Sequence, residues 1–86
     1  MVSRHIKITN LTGLYMFSTG MFCDAAVRFK SRIIFKHGET TTNAKSILSV
    51  LGSGIKMGDE IELICEGEDE EEAMKQLVKV IEGQLG

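Results

Sequence analysis

Proline and tryptophan are absent from this chain, tyrosine occurs once and cysteine twice. Without proline, and with no low-complexity tract or internal repeat, no linker divides the 86 residues. Residues 1–86 therefore read as a single small domain. A domain of this size buries only about 60% of the surface its unfolded chain exposes, which leaves little room for a core and a deep catalytic cavity together. No apolar run approaches the roughly 18 residues of a membrane span. The opening MVSRHIKITN alternates and carries charge, unlike a secretory signal, so the expected location is the cytoplasm, without membrane insertion. Cys23 and Cys65 form no CxxC pair, and His5 and His37 lie near neither in sequence. That excludes a zinc pattern and a disulfide framework, and buried reduced thiols are expected.

Excess of one charge is also missing. Ten Lys and Arg against twelve Asp and Glu give a net −2, which argues against direct nucleic-acid binding. The distribution is uneven: residues 1–45 hold seven bases and two acids, and the remainder three bases and ten acids. Two readings stay open. A fold that interleaves the halves pairs these charges internally; otherwise the first half offers a basic face to an acidic protein or a phosphate.

What is present is periodicity. Residues 4–9 (RHIKIT) put Ile6 and Ile8 on one side of a half-buried strand that Thr12 and Gly13 end. From Met16 to Phe29, the spacing of Phe22, Ala26 and Phe29 predicts a helix. RIIFKH (32–37) and ETTTN (39–43), joined through His37-Gly38, predict a hairpin. Ser46 precedes Ile47, Leu48, Val50 and Leu51, and Gly52 and Gly54 follow, which predicts a capped helix of about two turns. EIELICE (60–66) alternates as a strand, and Asp69 opens a helix with the stripe Ala73, Leu77, Val80 and Ile81. The order βαββαβα predicts an α+β fold, an antiparallel four-stranded sheet with three helices on one face.

Enzyme signatures are missing: the chain has no P-loop, no GxSxG and no HExxH. Gly52-Ser53-Gly54 follows a helix rather than a strand, so it reads as cap and turn. The acids of 68–72 do not converge on one helix face and read as a solvated first turn, with no metal or other cofactor implied. Two features stand out. Leu14, Tyr15, Met16, Phe17, Met21 and Phe22 are too many for one helix face to bury, so they form either a partner surface or a broadened core. Ser46 is a helix cap, and the same position suits a phosphate.

The stretch Asn43-Ala44-Lys45-Ser46-Ile47-Leu48-Ser49-Val50-Leu51 resembles HPr, the small phosphocarrier of the bacterial sugar phosphotransferase system. Gly58-Asp59-Glu60-Ile61 and Glu66-Gly67-Glu68-Asp69-Glu70 match that family's last strand and final helix start. The resemblance implies the open-faced sandwich of HPr and covers nearly the whole chain. It departs at the active site, where the family carries a Gly-Ile/Leu-His-Ala-Arg-Pro segment. Here the residues are Gly13-Leu14-Tyr15-Met16-Phe17-Ser18, with Tyr15 at the position of the phosphoryl-accepting His. A phenol that ionises near pH 10 is a poor stand-in for an imidazole that forms a labile phosphoramidate.

By resemblance, then, no catalytic residue is assigned and the chain is not an enzyme. The implied role is regulatory or protein-binding, with Ser46 as a phosphorylation site. The implied surface comprises Tyr15, Met16, Phe17, Met21, Ile47, Leu48 and Leu51. Its implied partners are phosphotransferase components, a serine kinase or a transcription regulator, with self-association through the same apolar patch a further expectation. The alternatives are a phosphotransferase component with altered chemistry, and a divergent domain binding an unrelated small ligand.

Overall fold

The structure is a computed structural model that describes residues 1–8, 16–56 and 58–82, with only the backbone course given for 16–19. Four strands form one antiparallel sheet: β1 (Val2–Lys7), β2 (Arg32–His37), β3 (Thr40–Asn43) and β4 (Glu60–Glu66). Three helices, α1 (Met16–Val27), α2 (Ile47–Gly52) and α3 (Glu70–Ile81), complete the expected order. The sheet runs β1-β4-β2-β3, so the last strand in sequence lies between the first two.

Alternation explains which side each strand buries. Ile6, Ile33, Phe35, Ile61, Leu63 and Cys65 point beneath the helices and are buried. Their neighbours Arg32, Lys36, Glu60 and Glu66 point outward into solvent. The amphipathic α3 supplies Ala73, Leu77, Val80 and Ile81 to the core as its spacing predicts, joined by Met74 and Val78. From α1 come Phe22, Cys23 and Ala26, and Phe22 meets Phe35 edge to face with ring centroids 6.1 Å apart. The buried thiol of Cys65 is pushed up to about 11, first by burial and then by the nearby Glu70 and Asp69 carboxylates. Burial likewise raises Cys23, and both cysteines are free thiols.

The basic and acidic halves interleave in the sheet. Register sets Lys7 against Glu60 and His5 against Glu62, and on the other side of β4 it sets Lys36 against Glu62 and Arg32 against Glu66. Cross-strand neighbours of opposite sign each contribute modestly. The basic first half and the acidic second half therefore meet on one sheet.

Boundaries differ where tertiary contacts decide them. The first strand is Val2–Lys7 rather than 4–9, and just past its end the Ile8 amide donates to the Asp59 carbonyl (2.8 Å). The first helix ends at Val27, and Phe29 packs against the core from the turn beyond it. The break expected at Thr12 and Gly13 lies outside the described residues.

The start of α3 also departs from the sequence reading. Asp69 makes no side-chain capping bond. Its carboxylate instead accepts from the backbone amides of Lys30 and Ser31, each at 2.9 Å, and from the Ser31 hydroxyl. The Ser31 hydroxyl and the Lys30 amide hold the Asp69 carboxyl down to about 2. Neighbouring Glu70 takes the Gly67 amide (3.1 Å) and the terminal amine of Met1 (2.9 Å), so part of the acid run is engaged rather than simply solvated.

A depressed carboxyl stabilises the fold above its unfolded pKa of about 3.9, and that contribution disappears as pH falls through the folded value. Melting temperature should accordingly fall on acidification between roughly pH 4 and pH 2. Asp69→Asn should melt several degrees lower at neutral pH and show a shallower acid limb. Thermal melts across that range check it, and parallel curves for the two proteins would refute the role assigned to Asp69.

Candidate functional site

The short helix α2 begins where Ser46, in an extended conformation, accepts the Ser49 amide at 3.3 Å. Its backbone carbonyl takes the Val50 amide at 3.0 Å. The helix stops at Gly52, with Ser53 as C-cap and Gly54 at φ +74°, a conformation glycine adopts without strain. Val50 alone is buried. Ile47, Leu48 and Leu51 are exposed, Leu48 to 79%. A two-turn helix with three large apolar side chains in water is costly to leave uncovered.

Ser46 is only half-buried, and its hydroxyl is the capping acceptor. The adjoining Lys45 is committed elsewhere: its ammonium donates to the Phe29 carbonyl at 2.7 Å, and its amide to Asn43 Oδ1 at 2.9 Å. It thereby ties the start of α2 to the end of α1. A phosphate on Ser46 would have to draw this tether away or share it.

Removing the cap should be mild. Ser46→Ala is expected to cost about 0.5–1 kcal/mol. Ser46→Asp, which retains an acceptor and adds charge at the helix start, should stay within about 1 kcal/mol of the parent protein. Urea denaturation of the three proteins reads both values. A loss of several kcal/mol for the Asp variant would make Ser46 a packing residue.

The remaining surface residues do not all gather around α2. Met21 is half-buried and lines a groove of about 530 Å³ between α1 and α3. Ala25, Phe29 and Val80 form the groove's apolar floor, with Glu72 and the Asp24–Arg28 ion pair (2.7 Å) at its rim. Tyr15 and the side chains of Met16 and Phe17 lie outside the described residues. Phe22, from the same apolar cluster, is fully buried.

The two histidines occupy different settings. His5 is exposed on edge strand β1, 3.9 Å from Glu62. His37, at the end of β2, approaches Asp59 at 3.2 Å in a half-buried pair. Asp59 also accepts the Lys56 amide, so the pair braces the turn before β4 against the β2–β3 hairpin. Nothing in the sequence marks it, because the partners are far apart along the chain. Among the described residues, no group of three His, Cys, Asp or Glu side chains could hold a metal, and no helix is long and apolar enough to cross a membrane.

Residues 2–83 match the family described as PTS HPr component phosphorylation site. This chain belongs to the HPr family. It is 38% identical over 82 residues to the HPr-like protein Crh of Halalkalibacterium halodurans, covering 95% of this chain and 98% of the relative. It is 34% identical over 86 residues to the phosphocarrier protein HPr of Neisseria meningitidis serogroup A, covering 100% and 97%. The crystal structure of HPr-C-His from Thermoanaerobacter tengcongensis superposes with a TM-score of 0.94 at 38% identity, covering 100% of this chain and 97% of that one. The four-stranded antiparallel sheet with three helices is the HPr open-faced sandwich. Members of this family are phosphocarrier and regulatory proteins, not enzymes.

Proposed function

We propose that this chain is a regulatory HPr-like protein that binds other proteins through α2, and that it does not carry phosphate on a histidine. The observation that carries this reading is Tyr15 in Gly13-Leu14-Tyr15-Met16-Phe17-Ser18, where the family's active-site segment would place His. Phosphocarriage needs a nitrogen that gives its phosphoryl group away readily. A tyrosine phosphate ester holds on to it, and Phe17 offers no guanidinium to steady the group. The similarity to Crh, described in Bacillus subtilis as a catabolite repression HPr, supports a regulatory role.

Ser46 is the proposed control point. It is only half-buried, it caps α2, and its neighbours Ile47, Leu48 and Leu51 are exposed. A phosphate there brings close to two negative charges to the edge of an apolar surface without burying them. By the family resemblance, Tyr15, Met16, Phe17 and Met21 belong to the same proposed surface. The partners are other proteins of the cytoplasm: a serine kinase that writes the mark, and a transcription regulator or phosphotransferase component that reads it.

Two labelling reactions test the reading. With phosphoenolpyruvate and the general phosphotransferase enzyme, the chain should take up no acid-labile phosphate. With ATP and an HPr serine kinase, it should take up acid-stable phosphate that Ser46→Ala abolishes. Acid-labile label in the first reaction would instead establish a carrier with altered chemistry. No label in the second would remove Ser46 as the switch.

A further inference from the structure

We propose that the outer face of the sheet, on the side away from the helices, is a docking surface for a second copy of this chain. The helices cover one side only, and at the centre of the other lie Ile34 and Ile64, half-exposed and directly paired in the β2–β4 register. On β2 they are flanked by Arg32 and Lys36, and on β4 by Glu66 and Glu62, all lining one shallow depression. Each strand thus presents a row of one sign with an isoleucine in the middle. Arg32 stands opposite Glu66 and Lys36 opposite Glu62.

This pattern is complementary to itself. A two-fold axis parallel to the strands, running between β2 and β4 above the face, carries the β2 row of one copy over the β4 row of the other. Arg32 then meets Glu66, Ile34 meets Ile64 and Lys36 meets Glu62, each contact occurring twice, as an isologous interface requires. The same rotation lays β1 over β3, whose sequence TTTN carries no charge to oppose it. Face-to-face sheets pack about 10 Å apart and nearly aligned, close enough for these side chains to interdigitate. Four strands about 4.8 Å apart give a face of roughly 300–400 Å² per copy, below what a stable complex buries, so the pairing is weak and concentration-dependent. This inference does not rest on the α2 reading, because the helices lie on the opposite side.

Sedimentation equilibrium in low salt, with protein raised to about 1 mM, reads the association. The mass should climb from 9.5 kDa toward twice that value and fall back in high salt. Lys36→Glu alone and Glu62→Lys alone should each weaken self-association at least tenfold, because like charges then face each other. An equimolar mixture of the two variants should associate again, since each supplies what the other lacks. Lys36 and Glu62 are also neighbours within one chain, so circular dichroism establishes that each variant is folded. Arg32→Glu with Glu66→Arg provides a second pair if either is not. Leu48→Asp should leave association unchanged. A parent protein that stays at 9.5 kDa throughout, variants that associate as it does, a mixture that fails to recover, or association lost in Leu48→Asp would each overturn the proposal.

Discussion

Gly67→Ala should cost about 3 kcal/mol or more, a large share of the 5–15 kcal/mol that holds a typical domain together. Two effects add. Gly67 sits at φ +150°, a conformation that side chains rarely adopt. A methyl group there would also lie 2.7 Å from the Ser31 Cα and 2.8 Å from its Oγ. The first of these neighbours is backbone, so no rotamer change relieves the contact. Relief requires moving Ser31, the residue whose amide and hydroxyl hold Asp69. One methyl group should therefore strain a turn and loosen the join between the start of β2 and the start of α3. Urea midpoints measure the loss. A change below about 1 kcal/mol would mean the turn relaxes freely and the join is not rigid.

Phe22→Ala should be comparably severe, at about 3–5 kcal/mol. The ring is fully buried and meets Phe35 edge to face, so removal leaves a void bordered by the sheet as well as by helices. Leu48→Ala provides the contrast: with Leu48 79% exposed, the change should stay within about 0.5 kcal/mol. Denaturation curves of both variants separate the core part of the apolar residues from the part that faces water. Equal losses would contradict the burial described for either position.

These contrasts indicate what the sequence could disclose. Period-two alternation in EIELICE and the spacing Ala73, Leu77, Val80 and Ile81 are local properties, and both elements form where expected. Ser46 is legible as a cap because the cap lies within three residues of the amide it accepts. What escaped was the partnering of distant groups. Asp69 reads locally as a dipole-matched acid, yet its carboxylate serves Ser31, 38 residues away. The His37–Asp59 pair and the Lys45 tether to Phe29 are likewise products of the sheet order and helix packing. The division of the candidate surface, with Met21 turned toward α3 and Leu48 standing free on α2, could not be read from composition. It depends on how α1 is rotated against its neighbours.

The sheet order also governs how the chain can be made. Val2 pairs with Cys65 and Ile33 with the same residue, so neither the first strand nor the hairpin has its main partner until β4 has been synthesised. Closing β1 onto β4 means gathering a loop of more than fifty residues before any ladder bond repays the lost chain entropy. This topology predicts that folding waits for β4 and that long-range closure, rather than helix formation, sets its rate. Until then β1 and the β2–β3 hairpin wait with unpaired edges, and the acidic β4 is the strand that completes both.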